Sequence, residues 1–193
     1  VTAIRKFVDD GGGFIGVCEP TACQHQVRYF QLSDVMGVDR EMGFSLSTDK
    51  YNTCDPHHFI LEDIDGKIDF GEGTSRIYAQ GKHYQILAQD GEYSQLVVNE
   101  YGKGHSVYFA GLPYSPQNCR ILLRAIYYAA GMPEEMKHYY VTNVDTEVTV
   151  FPETKRIAVI NNADAAGPHR LRRLLKARQQ LAWFYRRNSE RGG

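Results

Sequence analysis

Ile4-Arg5-Lys6-Phe7-Val8-Asp9-Asp10-Gly11-Gly12-Gly13-Phe14-Ile15-Gly16-Val17 holds a helix end, a glycine stop and a buried strand in one run. Val1, Ile4, Phe7 and Val8 recur at helical spacing. Gly11 to Gly13 follow where the last helical carbonyls need a residue tolerant of positive φ. Phe14 to Val17 is short and wholly apolar, which suits a parallel strand covered on both faces better than a half-solvated hairpin strand. Ligands of open α/β sheets sit beyond the carboxyl ends of strands, so Cys18-Glu19-Pro20-Thr21-Ala22 is the first loop to inspect for chemistry.

Beyond that loop, periodic runs are scarce up to Tyr51. Phe30, Leu32, Val35 and Met36 form one or two helical turns before Gly37, and Gly43 to Leu46 alternates like a strand. Gln24, His25, Gln26, Arg28 and Tyr29 make a dense set of hydrogen-bonding groups; a loop network, a subunit contact and a ligand cleft all account for such a set. His58 to Leu61 reads as a strand. Asp63-x-Asp65-Gly66 lacks the ligand spacing of a calcium loop, and Asp69 to Gly73 is a glycine turn too short for a phosphate loop.

The pattern then sharpens. Tyr84 to Gln89 and Ser94 to Glu100 are strands, and Tyr101-Gly102-Lys103-Gly104 turns the chain into a third, His105 to Gly111. Ser115-Pro116 opens a helix by N-cap and first-turn proline; Ile121, Leu122, Ala125, Ile126 and Ala129 form its apolar stripe, with Arg120 and Arg124 expected as solvated side chains. Val141 to Phe151, a turn at Pro152 to Lys155 and Arg156 to Asn162 make a hairpin expected to lack a partner within the chain, the start of a β-domain. His169 to Arg187 has the look of an amphipathic basic helix that interrupts the β pattern just begun, and is expected to be an aberrant tail.

With 193 residues, 42% hydrophobic and 23% charged, the chain has enough apolar material for a core. No run reaches the roughly 18 apolar residues of a membrane span. A net charge of −1 hides an asymmetry: residues 164–193 carry eight bases against two acids, and the rest carries fourteen against twenty-one. An acidic body repels nucleic acid, and neither nucleic acid nor membrane is expected as a partner. The start at Val1, inside a helical pattern, suggests a piece whose amino-terminal part is missing. Cys18, Cys23, Cys54 and Cys119 are scattered, which favours reduced thiols over a disulfide framework, and Cys18-x4-Cys23 with Cys54-x2-His57-His58 is too irregular for zinc, so no metal is expected.

The phrases AIRKFVDDGGGFIGVCEPTA, HQVRYFQLSDVMGVDREMGFSLSTDKYN, DFGEG and NEYGKGHSVYFAGLPYSPQNCRILLRAIYYAAG resemble the middle domain of the 1,3-β-galactosyl-N-acetylhexosamine phosphorylases, the lacto-N-biose phosphorylases. The resemblance runs from about Val1 to Asn162. It departs from the family at Cys18, where the family pattern has glycine, and over residues 164–193. It implies an α/β fold with a glutamine-amidotransferase-like (flavodoxin-like) sheet and flanking helices over 1–138, and the first hairpin of a β-domain over 139–163, with the basic tail at 164–193.

The implied function is that of an ancillary, scaffolding and dimerising portion of a cytoplasmic, homodimeric inverting phosphorylase. The family's reaction joins phosphate to the galactosyl group of a β-1,3-linked galactosyl-N-acetylhexosamine, giving α-galactose 1-phosphate. Inorganic phosphate is a co-substrate and no cofactor is implied. The family's catalytic groups lie in a barrel this chain lacks, so no catalytic residue is expected here and the chain alone is expected to be inactive; Glu19, His25 and Arg28 are candidates for bordering the cleft or an interface. A noncatalytic binding module and an amidotransferase-like cysteine hydrolase using Cys18, with His25 or another histidine as base, are the alternatives. The hydrolase fits less well because Glu19-Pro20 stands where a nucleophile elbow needs small residues and a helix start.

Overall fold

The computed structural model describes residues 1–22, 29–42, 53–62, 64, 66–132, 139–141, 146–151, 153–161 and 171–173. They fall in two units, Val1–Pro133 and Glu134–Gly193. In the first, α1 (Thr2–Asp9) leads into β1 (Gly13–Val17), followed by α2 (Ser33–Met36), β2 (Val38–Arg40), β3 (Ile77–Ala79), β4 (Tyr84–Asp90), β5 (Tyr93–Tyr101), β6 (Gly104–Phe109) and α3 (Pro116–Ala129). The glycine stop, the parallel strand and the long helix therefore stand as the sequence suggests. Ser115 caps α3, its hydroxyl accepting from the Asn118 amide at 3.0 Å.

The four-stranded sheet has the order β1-β6-β5-β4. β1 runs parallel to β6 in register from Gly13 opposite His105 to Val17 opposite Phe109, while β5 is antiparallel to both β6 and β4. Both faces are buried. Side chains alternate across a strand, so Phe14, Val97 and Tyr108 enter one core with Val8, Val35 and Met36. Ile15, Leu96, Val98, Val107 and Phe109 enter the other with Ile121 and Ala125 of α3. Coverage on both sides is why these strands read as nearly continuous apolar runs. β2 and β3 pair antiparallel as a short ribbon whose Val38, Ile77 and Ala79 join the first core.

Several expectations are corrected. His58 to Leu61 is not a strand: Phe59–Leu61 is a 3-10 turn capped by His58, whose Nδ1 accepts from the Ile60 amide at 3.2 Å. A short apolar run with one fully buried residue, Ile60, cannot distinguish the two by periodicity. Arg124 is not solvated. It is 3% exposed, donates to the Phe59 carbonyl at 2.8 Å and stacks over the Phe59 ring, whereas Ile126, expected inside, is 48% exposed. The buried face of α3 is rotated toward the 3-10 turn, which supplies the acceptor that lets a guanidinium enter. The expected strand at Gly43 to Leu46 lies outside the described residues.

In the second unit, the expected strand Val141 to Phe151 takes in the end of β7 (Tyr139–Val141) and all of β8 (Thr146–Phe151), with 142–145 outside the described residues; β8 makes the expected hairpin with β9 (Arg156–Asn161). Within the basic tail, β10 (Leu171–Arg173) pairs antiparallel with β7, so these three residues are strand and not amphipathic helix. Cross-strand pairing overrides the helical periodicity there. Among the described residues no helix is long and apolar enough to cross a membrane.

Removing the α3 cap by Ser115→Ala is expected to lower stability by about 1 kcal/mol. Gly111→Ala is expected to cost more, about 3 kcal/mol, because its Cβ would stand 2.0 Å from the Phe70 carbonyl oxygen. Urea unfolding midpoints of the two variants against the parent chain check both the sizes and the order.

Candidate functional site

The loop at the carboxyl end of β1 begins with a conformation unusual for its residues. Cys18 has φ +59° and Thr21 φ +57°, both left-handed. The Cys18 amide extends the ladder to β6 by donating to the Phe109 carbonyl at 2.9 Å. Its own carbonyl accepts from the Tyr108 hydroxyl at 2.8 Å. Burial pushes the Tyr108 phenol far above its ordinary range, so it stays protonated and remains a donor. A left-handed φ at Cys18 is a backbone conformation that favours glycine.

Glu19 comes next, and its carboxylate is fully engaged. Oε2 accepts from the Tyr29 hydroxyl at 2.8 Å, and Oε1 is ion-paired with the Arg40 guanidinium. Arg40 also donates to the Tyr29 hydroxyl at 3.1 Å and lies over the Tyr29 ring, 5.0 Å from its centre. One buried carboxylate organises all three. Asp39, 1% exposed, accepts at Oδ1 from the amides of Tyr29 (3.1 Å), Phe30 (2.9 Å) and Arg40 (2.8 Å). That clamp draws the returning loop onto β2, and the bridge between Ala22 and Phe30 closes its base.

Of the sequence candidates, Glu19 and Cys18 therefore stand side by side on the β1 loop; His25 and Arg28 lie outside the described residues. Asp39 and Arg40, which hold Glu19 in place, escaped the sequence reading. Their one signal is an acid inside an apolar run, Met36-Gly37-Val38-Asp39, where a buried carboxylate needs donors.

Cys18 is exposed, and Glu19 to Thr21 after it are bends and turns, with no helix start there. Cys18, Cys54 and Cys119 are free thiols, and among the described residues no three His, Cys, Asp or Glu side chains converge as metal ligands. The chemistry open to this site is accepting and positioning. Glu19 and Asp39 both accept hydrogen bonds from the groups around them.

A second polar cluster lies on the other side of α2. Arg5 of α1 forks onto Asp34 at 2.8 and 2.9 Å and donates to the Gln31 carbonyl at 2.8 Å. Asp34 also borders a cleft of about 290 Å³ lined by Lys82, His83, Asn99, Glu100 and Tyr101. Burial raises the Asp34 pKa, but the Arg5 hydrogen bond and charge outweigh it and hold the carboxyl below its ordinary range.

Residues 1–134 match the family model described as the lacto-N-biose phosphorylase central domain, and residues 139–167 the one described as its C-terminal domain. A 1,3-β-galactosyl-N-acetylhexosamine phosphorylase of Lachnoclostridium phytofermentans is 53% identical over 161 residues, 83% of this chain and 22% of the relative. One from Bifidobacterium longum subsp. longum is 36% identical over 197 residues, 85% of this chain and 26% of the relative. A D-galactosyl-β-1→4-L-rhamnose phosphorylase of L. phytofermentans is 29% identical over 169 residues, 85% of this chain and 22% of the relative. The chain thus spans about a quarter or less of the length of these relatives.

Two outcomes test the site's electrostatics and backbone. The Asp34 pKa is depressed on folding, so its stabilising contribution is complete above the unfolded value and is lost as pH falls through the lower folded one. Asp34→Asn is therefore expected to lower the melting temperature at about pH 6, with the gap to the parent closing toward about pH 3. Cys18→Gly is expected to hold or raise stability by up to about 1 kcal/mol, and Cys18→Val to lower it by about 1 kcal/mol, in thermal or urea unfolding.

Proposed function

We propose that this chain, which belongs to the lacto-N-biose phosphorylase family, is an ancillary part of an inverting phosphorylase whose reacting groups lie in the portion of the polypeptide it does not span. The observation that carries the proposal is the match of residues 1–134 to the family's central domain in a chain covering 22% of its 53%-identical relative. The intact protein is a homodimeric, cytoplasmic enzyme that converts a β-1,3-galactosyl-N-acetylhexosamine and phosphate to α-galactose 1-phosphate and free N-acetylhexosamine. It needs no cofactor beyond its phosphate co-substrate. The parallel β1–β6 pair with a helix packed on each face supports reading the first unit as part of an amidotransferase-like, flavodoxin-like sheet.

Chemistry supports an ancillary role. Phosphorolysis needs a carboxylic acid that protonates the departing oxygen, and cationic donors that hold phosphate on the opposite face of an oxocarbenium-like transition state. Glu19, Asp34 and Asp39 serve instead as acceptors, to Arg40 and Tyr29, to Arg5, and to three backbone amides. Arg5 and Arg40 are spent on those same carboxylates. The region also aligns with a relative named for a rhamnoside and with relatives named for N-acetylhexosaminides, which supports placing acceptor choice elsewhere.

Phosphate release from α-galactose 1-phosphate plus N-acetylglucosamine tests the proposal. This chain alone is expected to show none. The 53%-identical relative, with its matched region replaced by residues 1–162 of this chain, is expected to keep its activity and acceptor preference. Turnover by the chain alone would overturn the proposal and return attention to the Glu19 loop.

A further inference from the structure

Residues 110–115 join β6 to α3 at the carboxyl end of the parallel pair, and they hold Tyr114 out at 90% exposure. Single apolar side chains on a surface are ordinary. Tyr114 differs in degree and in setting. The next most exposed large hydrophobic among the described residues, Met42, stands at 62%, and no hydrogen bond or ring contact engages Tyr114 there.

The backbone under Tyr114 is pinned along its length. The Ala110 amide donates to the Gln95 carbonyl at 2.7 Å, and the Ala110 carbonyl accepts from the Thr74 amide at 2.6 Å. Gly111 is buried against the Phe70 carbonyl, where a Cβ would not fit, and Leu112 packs half-buried on the second core. Asn118, 2% exposed, ties two loops together: its Nδ2 donates to the Pro113 carbonyl at 2.8 Å and to the Asp69 carbonyl at 2.9 Å. Ser115 then caps α3. The ordering entropy of this loop is therefore met by the fold itself, and a tyrosine with only two side-chain torsions stands on it. Preorganised aromatic side chains are the residues that dominate protein contacts.

The surroundings decide what the ring meets. A sugar site needs free polar groups converging beside the ring. Here Asn118 Nδ2, Ser115 Oγ and Asp69 Oδ1 are committed inside the loops, the last to the Gly71 amide at 2.8 Å. The chain neighbours of Tyr114 that reach solvent include Pro113 and Pro116, which add apolar surface.

We infer that Tyr114 is the anchor of a docking surface at the carboxyl end of the β1–β6 pair, and that its occupant is an apolar pocket on the part of the longer family polypeptide that this chain does not span. The inference rests on the proposed function only in taking the chain as part of that longer protein. The chain covers 22% of its 53%-identical relative, so most of that polypeptide is available to supply the pocket. The pocket holds an acceptor for the phenol hydroxyl, since a tyrosine buried on docking needs one. β6 lies between β1 and β5, so this surface is at the strand ends and calls for no backbone pairing.

Nitration by tetranitromethane, read by mass spectrometry at Tyr114, tests the inference. In this chain Tyr114 is expected to react as fast as a free tyrosine. In the 53%-identical relative carrying residues 1–162 of this chain in place of its matched region, it is expected to react at least about tenfold more slowly, because the core of an interface excludes solvent. Tyr114→Ala is expected to leave the melting temperature of this chain within about 1 °C, since the side chain buries almost nothing, and to lower that of the chimera by a few degrees. Where the chimera does not fold, the unaltered relative carries the test. The Leu112 and Tyr114 amides make no hydrogen bond among the described residues, and the amides at the matching positions are expected to exchange at least about tenfold more slowly in the relative than in this chain.

Equal nitration in chain and chimera, or equal exchange in chain and relative, would overturn the inference. Protection in this chain that rises with its own concentration would do so in favour of a second copy, and protection on adding N-acetylglucosamine or α-galactose 1-phosphate in favour of a sugar platform. None of these readouts depends on turnover: an inactive chimera with a protected Tyr114 would sink the functional proposal alone, and an active one with a reactive Tyr114 would sink the anchor alone.

Discussion

The parallel pairing of β1 with β6 holds the first unit together. It joins residues about ninety positions apart in the chain, from Gly13 opposite His105 to Val17 opposite Phe109. Everything between must fold so that both strands are covered on both faces. The loop-closure entropy of so long a connection is opposed by two cores that meet at this pair, one through Phe14 and Tyr108 and the other through Ile15, Val107 and Phe109. Remove the pairing and α1 and α3 lose the strand that lies between them.

Buried polar groups fix what the apolar cores leave free. α2 is one turn long and ends at Gly37, which takes φ +69°. Its Val35 carbonyl, which one turn of helix cannot satisfy, accepts from Asn99 at 2.9 Å and from Ser106 at 2.6 Å. Those two residues face each other across β5 and β6, so the sheet itself caps the helix. Asp39 plays the same part for the loop that carries Tyr29. A carboxylate buried to 1% exposure needs several donors, and it draws three amides to one oxygen. The position of Glu19 is thus set by burial of a different acid twenty residues away.

For a member of a phosphorylase family, a polar loop at the end of a parallel strand invites a catalytic interpretation, and the geometry favours a structural one. Glu19, Tyr29 and Arg40 satisfy one another, and Cys18 is exposed with no helix start beside it. A self-satisfied polar cluster holds a loop in one shape, which suits a surface that braces or borders a site more than one that performs proton transfer.

Local rules were enough for the helix stop at Gly11, the β1 strand, the β5–β6 turn and the Ser115-capped helix, because each rests on interactions within a few residues. The sequence also marked Glu19 and Cys18 by their place after an apolar strand, and it carried the family resemblance in whole phrases. Tertiary structure alone decided the rest. Phe59–Leu61 becomes a 3-10 turn because Ile60 and a capping histidine outweigh strand propensity, and Arg124 enters the interior because that turn offers it a carbonyl. Leu171–Arg173 becomes a strand because β7 pairs with it. Asp39 organises the site through donors on another segment. For Arg124, Leu171–Arg173 and Asp39 the deciding partner lies on another segment of the chain, and no local propensity encodes where that partner will stand.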